Sequence, residues 1–413
     1  MARKDKKTVV GLDIGTTKIC CVIAEVGDDN ALNIIGIGTN KSRGLRKGVV
    51  INIDSTVESV KAAVEEAELM AGVEVDSAYV GIAGGHIKGF NSHGIIAVKN
   101  REVSSVDKER VIEAAKAVAI PMDRELLHVL PQHYIIDGHN GIKEPLGMTG
   151  VRLEARIHII TGAVTSAQNI VRCVNRAGLE VDDIIVEQIA SAEAVLDQDE
   201  RDLGVAMVDI GGGTSDLVVL ADDSVKYTSV MSVGGDNITN DISIGLRTPH
   251  KEAEKIKRKH GCASTGLVKQ DDLIEVPSMG GREPREIGRS LLCEIIEPRV
   301  EEMFQIISRD LEGSGYLDAI TSGLVITGGA TILEGMPEVA ERVFGLPVRR
   351  GFPKGVGGLV DVVNSPQFST AVGLLLFSHK QGRNGNGSRK PLKGRHLFNN
   401  IMDRMKGWVE EFF

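Results

Sequence analysis

The chain has 413 residues, 42% hydrophobic and 25% charged, with only 3% aromatic and a formal net charge of −9. That length accommodates two or more domains with their own cores, while so few aromatics argue against a single-stranded nucleic-acid binder, which stacks bases on rings. Eight Lys/Arg against three Asp/Glu in residues 380–413 put a local +5 on a body of −14, so the tail is the part suited to an anionic partner. Cys20, Cys21, Cys173, Cys262 and Cys293 show neither C-x-x-C nor metal spacing, which fits a reducing cytoplasm. The charged N-terminus passes straight into a strand with no signal-peptide pattern. No apolar run approaches the roughly 18 residues of a membrane-spanning helix.

In chain order, residues 9–24 read as two apolar strands joined by Asp13-Ile14-Gly15-Thr16-Thr17-Lys18. A strand over 32–38, a basic loop over 41–48 and a short β-like stretch over 49–53 follow. Asp54-Ser55-Thr56 then caps an amphipathic helix to Met70, with Val57, Val60, Ala63, Val64 and Ala67 at helical spacing. A strand over 78–83 ends in Gly84-Gly85. From 85 to 162 short strands surround one helix, 105–119, and a Gly/Pro-rich segment, 137–150; this predicts an inserted α+β unit resting on a parent domain. Its His128, His133 and His139 lack partners at ligand spacing and read as packing or surface histidines. A strand (156–162), a helix (166–177) and a strand (181–186) lead to Glu187-Gln188-Ile189-Ala190-Ser191-Ala192, a small-residue helix start suited to close packing at a junction.

Residues 205–220 are the informative stretch. Two apolar strands are joined by Asp209-Ile210-Gly211-Gly212-Gly213-Thr214-Ser215-Asp216. Consecutive glycines let backbone approach a ligand, successive N–H groups form an anion-binding nest, and the flanking carboxylates suit the water shell of Mg²⁺. The 13–18 turn repeats this grammar with a loop two residues shorter, so the chain reads as a duplication whose two phosphate hairpins face one nucleotide. Further on come a strand ending in glycines (230–235) and a helix (238–246) opened by Asp236-Asn237. A helix over 251–260 carries Glu252 and Lys255 on one face. A helical region over 286–312 is broken or offset at Pro298. A strand (324–326) runs into Thr327-Gly328-Gly329-Ala330-Thr331, where bare backbone suits a nucleoside. A helix starts near Pro337, and 370–377 is the last apolar helix of the body.

The tail is a separate device. Residues 381–396 contain no acid and read as a flexible basic linker. In 397–413, placed at 100° per residue, Leu397, Phe398, Ile401, Met402, Met405, Trp408, Val409, Phe412 and Phe413 fill one arc of about 160°, with every polar residue outside it. This is the pattern of an interfacial membrane helix, with Lys390, Lys393, Arg395 and Arg404 placed for anionic headgroups. A helix docking on the body or on a partner is the competing reading.

Together, the 13–18, 187–192, 209–216 and 327–330 segments resemble the actin/Hsp70/sugar-kinase ATPase superfamily. The insert after Gly85, the run Leu127-His128-Val129-Leu130-Pro131-Gln132-His133-Tyr134 and the terminal amphipathic helix resemble the FtsA family of bacterial division actin homologues. The resemblance implies an α/β, duplicated actin-like (ribonuclease H-like) ATPase fold with two lobes, an inserted α+β subdomain 1C and a C-terminal amphipathic helix. Subdomain 1A would take 8–84, 163–195 and 359–379, 1C would take 85–162, 2A would take 196–235 and 301–358, and 2B would take 236–300. It implies ATP and Mg²⁺ between the lobes. Gly15, Thr16, Thr17, Gly211, Gly212, Gly213 and Thr214 would hold phosphates with Lys18, and Asp13 and Asp209 would hold Mg²⁺ through water. Gly328, Gly329 and Ala330 would back the nucleoside with Glu252 and Lys255 near adenine, and Gln188 would position the attacking water of a weak ATPase. It also implies head-to-tail filaments on the cytoplasmic face of the inner membrane at the division site. The FtsZ C-terminal peptide would bind 2B near Arg285 and Arg289, later division proteins would contact 1C, and nucleic acid has no part. A metabolic kinase would need an acceptor pocket, and an Hsp70-like chaperone a substrate domain after Leu376. An MreB-like filament protein would lack the insert.

Overall fold

The computed structural model describes residues 7–269, 272–278 and 283–384. The amphipathic helix expected over 397–413 and most of the basic linker lie outside the described residues.

The first lobe begins with a meander of β1 (Thr8–Ile14), β2 (Lys18–Val26) and β3 (Leu32–Lys41), all antiparallel. Near-continuous burial of β1 and β2 explains their unbroken apolar runs. Two short strands, β4 (Leu45–Arg46) and β5 (Val49–Val50), precede α1 (Ile53–Ala71). Asn52, not the Asp54-Ser55-Thr56 run, caps α1: its side chain accepts from Ser55 N–H. Thr56 is already inside the helix, its hydroxyl donating back to Asn52 O at 2.8 Å. β6 (Ser77–Ile82) then pairs parallel to β1.

The insert follows. β7 (Lys88–Ala97), α2 (Ser105–Lys116), β8 (Arg124–Ile136), β9 (His139–Ile142) and β10 (Arg152–Ala163) make a separate sheet of order β7-β10-β8-β9. It has its own core around Val111, Leu153, Ile157 and Ile159. Ser104 caps α2 and Asp107 bonds back to it, a reciprocal pair one residue earlier than the Ser105 start read from the sequence. The chain returns through α3 (Val164–Arg176), β11 (Glu180–Val186) and α4 (Glu187–Val195).

After α5 (Gln198–Leu203) the second lobe repeats the plan. β12 (Val205–Ile210), β13 (Ser215–Ala221) and β14 (Ser224–Met231) form an antiparallel meander. α6 (Gly235–Gly245), α7 (His250–His260), β15 (Leu273–Val276), β16 (Arg285–Gly288) and α8 (Arg289–Ser314) intervene before β17 (Leu324–Thr327) pairs parallel to β12. α9 (Met336–Phe344) leads to β18 (Val348–Arg350), and β19 (Gly357–Gly358) and α10 (Val360–Val363) precede α11 (Ser369–Asn384). Ignoring β19, the sheet orders β3-β2-β1-β6-β11 and β14-β13-β12-β17-β18 are the same topology twice.

Three sequence-based boundaries move. β14 ends at Met231, and Gly235 begins α6 rather than ending a strand. α8 runs unbroken through Pro298, so the ring is accommodated at the cost of one helix hydrogen bond. α11 continues to Asn384, into the stretch whose composition reads as linker. α4 and α11 hold corresponding places in the two repeats and pack together so closely that a Cβ on Gly373 would stand 1.9 Å from Ala190 O. One apolar core runs from β1 and α11 into Val205, Met207 and Val218 of the second lobe.

Candidate nucleotide cleft

Both Asp-Ile-Gly hairpins close the same way. Gly15 N–H donates to Lys18 O at 3.1 Å and Gly211 N–H to Thr214 O at 2.9 Å. Four residues separate the closing pairs Ile14/Ile19 and Ile210/Ser215 in each, so the expected two-residue difference in loop length is absent. Lys18, read from the sequence as part of the loop, opens β2 and corresponds to Thr214, the last turn residue of the second lobe. The turns meet tip to tip: a Cβ on Gly212 would stand 2.3 Å from Thr17 Cγ2, and one on Gly213 2.8 Å from Thr16 Oγ1. Only glycine permits that approach. Behind the second turn, Gly235 N–H and Asp236 N–H at the start of α6 donate to Gly211 O and Gly212 O at 2.9 and 2.8 Å. The helix's first free donors thus anchor the loop.

A cavity of about 120 Å³ lies at this junction, and Gly328 and Gly329 form its third side. Gly328 has φ +91°, and a Cβ there would stand 2.3 Å from Asp209 Oδ1, so the β17 turn lies directly on the aspartate. Among the described residues four carboxylates line the cavity, Asp13, Glu187, Asp209 and Asp216, with Lys18 as the lone cation. Lys18 also donates to Gln367 O and lies 4.3 Å from the centre of the Phe368 ring.

Burial sets the electrostatics. It pushes Asp13 up to about 6, with Asp209 adding repulsion against the pull of Lys18. Asp216 is pushed up to about 8 by burial and then by Asp209. Glu187 is raised well above its ordinary value by burial and by Asp13, and Asp209 is raised by burial although two hydroxyls stabilise its ionised form. Glu187 Oε1 and Asp216 Oδ1 are buried with no hydrogen-bond partner. This surplus of uncompensated acid suits a divalent cation. Among the described residues no group of three or more His, Cys, Asp or Glu is arranged to hold a metal ion.

The structure brings Asp13, Gly15, Thr16, Thr17, Lys18, Asp209, Gly211, Gly212, Thr214, Gly328 and Gly329 to the cavity wall. Gly213 sits just behind it against Thr16, and Ala330 backs Gly235. Glu252 and Lys255 are not brought in: they pair with each other at 2.8 Å on the outer face of α7. Gln188 is displaced too. It is fully buried off the wall with both amide atoms unpartnered, while its neighbour Glu187 lines the cavity. Successive residues at a helix start diverge by about 100°, so only one of the two faces the cleft. Arg285 is exposed and donates one bond to Leu246 O, while Arg289 bridges Asp272, Glu334 at 2.6 Å and His260 O. Glu187 and Thr370 line the cleft and escaped the sequence reading; the carboxylate beside Gln188 was the available signal for the first.

Two Asp-Ile-Gly hairpins and a Gly-Gly turn at the junction of duplicated sheets define the actin-like class. The chain covers 90% of itself and 98% of a protein in the PilM-PilN type IV pilus biogenesis complex at TM-score 0.64 and 17% identity. It covers 92% of itself and 100% of MreB5 of Spiroplasma citri bound to ADP at TM-score 0.52 and 14% identity. A family model described as cell division protein FtsA matches residues 206–373, and one described as the SHS2 domain inserted in FtsA matches 84–161. The chain is 49% identical to the cell division protein FtsA of Pseudomonas aeruginosa over 98% of each. It is 42% identical to that of Escherichia coli K12 over 92% of each, and 39% identical to that of Bacillus subtilis over 91% of this chain and 84% of the relative. The chain belongs to the FtsA family of cell division proteins.

Proposed function

We propose that this protein binds ATP with Mg²⁺ in the cleft, assembles into filaments on the cytoplasmic face of the membrane at the division site, and tethers FtsZ filaments there. The observation that carries the nucleotide reading is the meeting of the two Asp-Ile-Gly turns beside Gly328, with surplus buried acid and one lysine around them. Backbone N–H and hydroxyl groups of 15–17 and 212–214 bind the phosphates with Lys18. Asp13 and Asp209 hold the cation through water, and its charge, when bound, offsets that of the phosphates. Glu187, in the place first assigned to Gln188, orients and deprotonates the attacking water; its raised affinity for protons suits a general base better than an amide. Turnover is weak, and nucleotide serves chiefly to set lobe geometry for assembly.

The membrane part rests on the complete apolar arc of 397–413 and the acid-free basic stretch before it. No helix among the described residues is long and apolar enough to cross a membrane. The FtsZ C-terminal peptide binds the 236–300 segment, and later division proteins contact the insert. Liposome flotation with ATP, with and without 397–413 and then with FtsZ, tests this. The intact chain floats and carries FtsZ with it; Trp408→Glu abolishes flotation and leaves ATP binding unchanged. Unchanged flotation of Trp408→Glu would show a helix docked on protein instead.

A further inference from the structure

Asp209 differs from the other cleft carboxylates in being held from the opposite lobe. Its Oδ2 accepts from Ser191 Oγ at 2.6 Å and from Thr370 Oγ1 at 3.1 Å, and the two hydroxyls lie 3.0 Å apart. All three residues are buried. Asp209 is the penultimate residue of β12 in the second lobe, whereas Ser191 is on α4, which follows β11 of the first lobe, and Thr370 is on α11, which closes the second repeat but packs against β1 of the first lobe. These are the two helices that occupy equivalent places in the repeats and touch at Gly373 and Ala190. By contrast, among the described residues Asp216 Oδ2 is held by Thr214 of its own hairpin, at 2.9 Å. With Oδ2 occupied by two donors, Asp209 keeps Oδ1, which lies against Gly328 at the cavity wall.

We propose that Ser191 and Thr370 are positioning residues for divalent-cation binding: they hold Asp209 Oδ2 from across the lobe junction so that the carboxylate stays correctly turned toward a hydrated cation. The inference rests on the cleft binding Mg²⁺–nucleotide. Two donors on one carboxylate oxygen leave the group little freedom to turn, and partners of a ligand fix its orientation. Because the donors and the acceptor sit on different lobes, cation affinity becomes dependent on α4 and α11 being docked against β12. A merely structural hydroxyl pair would join the lobes without distinguishing cation-dependent from cation-independent nucleotide binding.

The test uses the full chain and a fluorescent ATP analogue, titrated with Mg²⁺ and measured separately in excess EDTA. Thr370→Val keeps the side-chain volume, and Ser191→Ala with Thr370→Val removes both donors. The Mg²⁺ concentration for half-maximal effect rises about tenfold or more in the double variant, a larger change than any in its affinity in EDTA. Thr370→Ser, which keeps the hydroxyl, retains the wild-type Mg²⁺ midpoint. An unchanged midpoint in the double variant or, should that variant not fold, in Thr370→Val alone overturns the proposal. So does an equal loss of affinity with and without Mg²⁺. Wild-type protein that binds no nucleotide would instead overturn the cleft reading itself.

Discussion

Glu187 and Gln188 stand side by side at the start of α4, one at the cavity wall and the other sealed in the core. Exchanging the acid for its amide removes the proton acceptor and keeps the shape. Glu187→Gln is therefore expected to lower ATP turnover by about 10²-fold while nucleotide affinity holds, measured by phosphate release and equilibrium binding. The neighbouring change behaves oppositely. Both amide atoms of Gln188 are buried without partners, so Gln188→Leu leaves turnover intact and keeps or raises the melting temperature, because an unpaired buried polar group is removed. Gly328→Ala combines a left-handed backbone, φ +91°, with a clash on Asp209 Oδ1. A loss of about 2–3 kcal/mol in denaturant unfolding is expected, together with loss of nucleotide binding. That Asp209 and Gly328 belong to one site was legible in their motifs; which of two adjacent residues faces it was not, because helix phase depends on where β11 delivers the chain.

At the scale of elements, a polar cluster around Asn91 helps fasten the insert to the second lobe. Asn91 on β7 donates to Lys226 O at 3.0 Å and Tyr316 OH at 2.9 Å, and accepts from Gln132 Nε2 at 3.1 Å and His158 Nδ1 at 2.7 Å. His158 Nδ1 faces an acceptor and so donates; in the neutral ring its Nε2 then accepts from Thr228 Oγ1 at 2.9 Å. Burial lowers its affinity for protons to about 4, from 6.5. The folded state thus resists a proton that the unfolded chain accepts: the stability tied to His158 is whole above pH 6.5 and declines as pH falls toward 4. Between pH 7 and 4.5, wild-type protein is expected to lose about 2–3 kcal/mol more unfolding free energy than His158→Gln, measured by denaturant titration at each pH. The existence of the insert was visible in the change of residue pattern. Its seating on β14 was not, since Asn91, His158 and Thr228 are polar strand residues with no common spacing.

At the scale of the molecule, the cavity joins two lobes through four buried carboxylates and one lysine, and the lobes share a core across α4 and α11. Ligand that binds only the folded state should stabilise the whole. Mg²⁺–ATP at about a hundred times its dissociation constant is expected to add about 2.7 kcal/mol, read as a rise in melting temperature that Asp13→Asn abolishes. The sequence by itself determined the duplication, the glycine turns, the inserted unit and the family, because those depend on local spacing: apolar runs, the residues a tight turn tolerates, and their order along the chain. Only the tertiary structure decided that the two turns are equal in length and meet at Gly212 and Thr17. It also turned Glu187 inward, paired Glu252 with Lys255 away from the cavity wall, and brought Ser191 and Thr370 onto Asp209. Each of those outcomes follows from strand register or helix phase between segments far apart in the chain. Register and phase are set by the packing of whole elements, and no local run of residues encodes them.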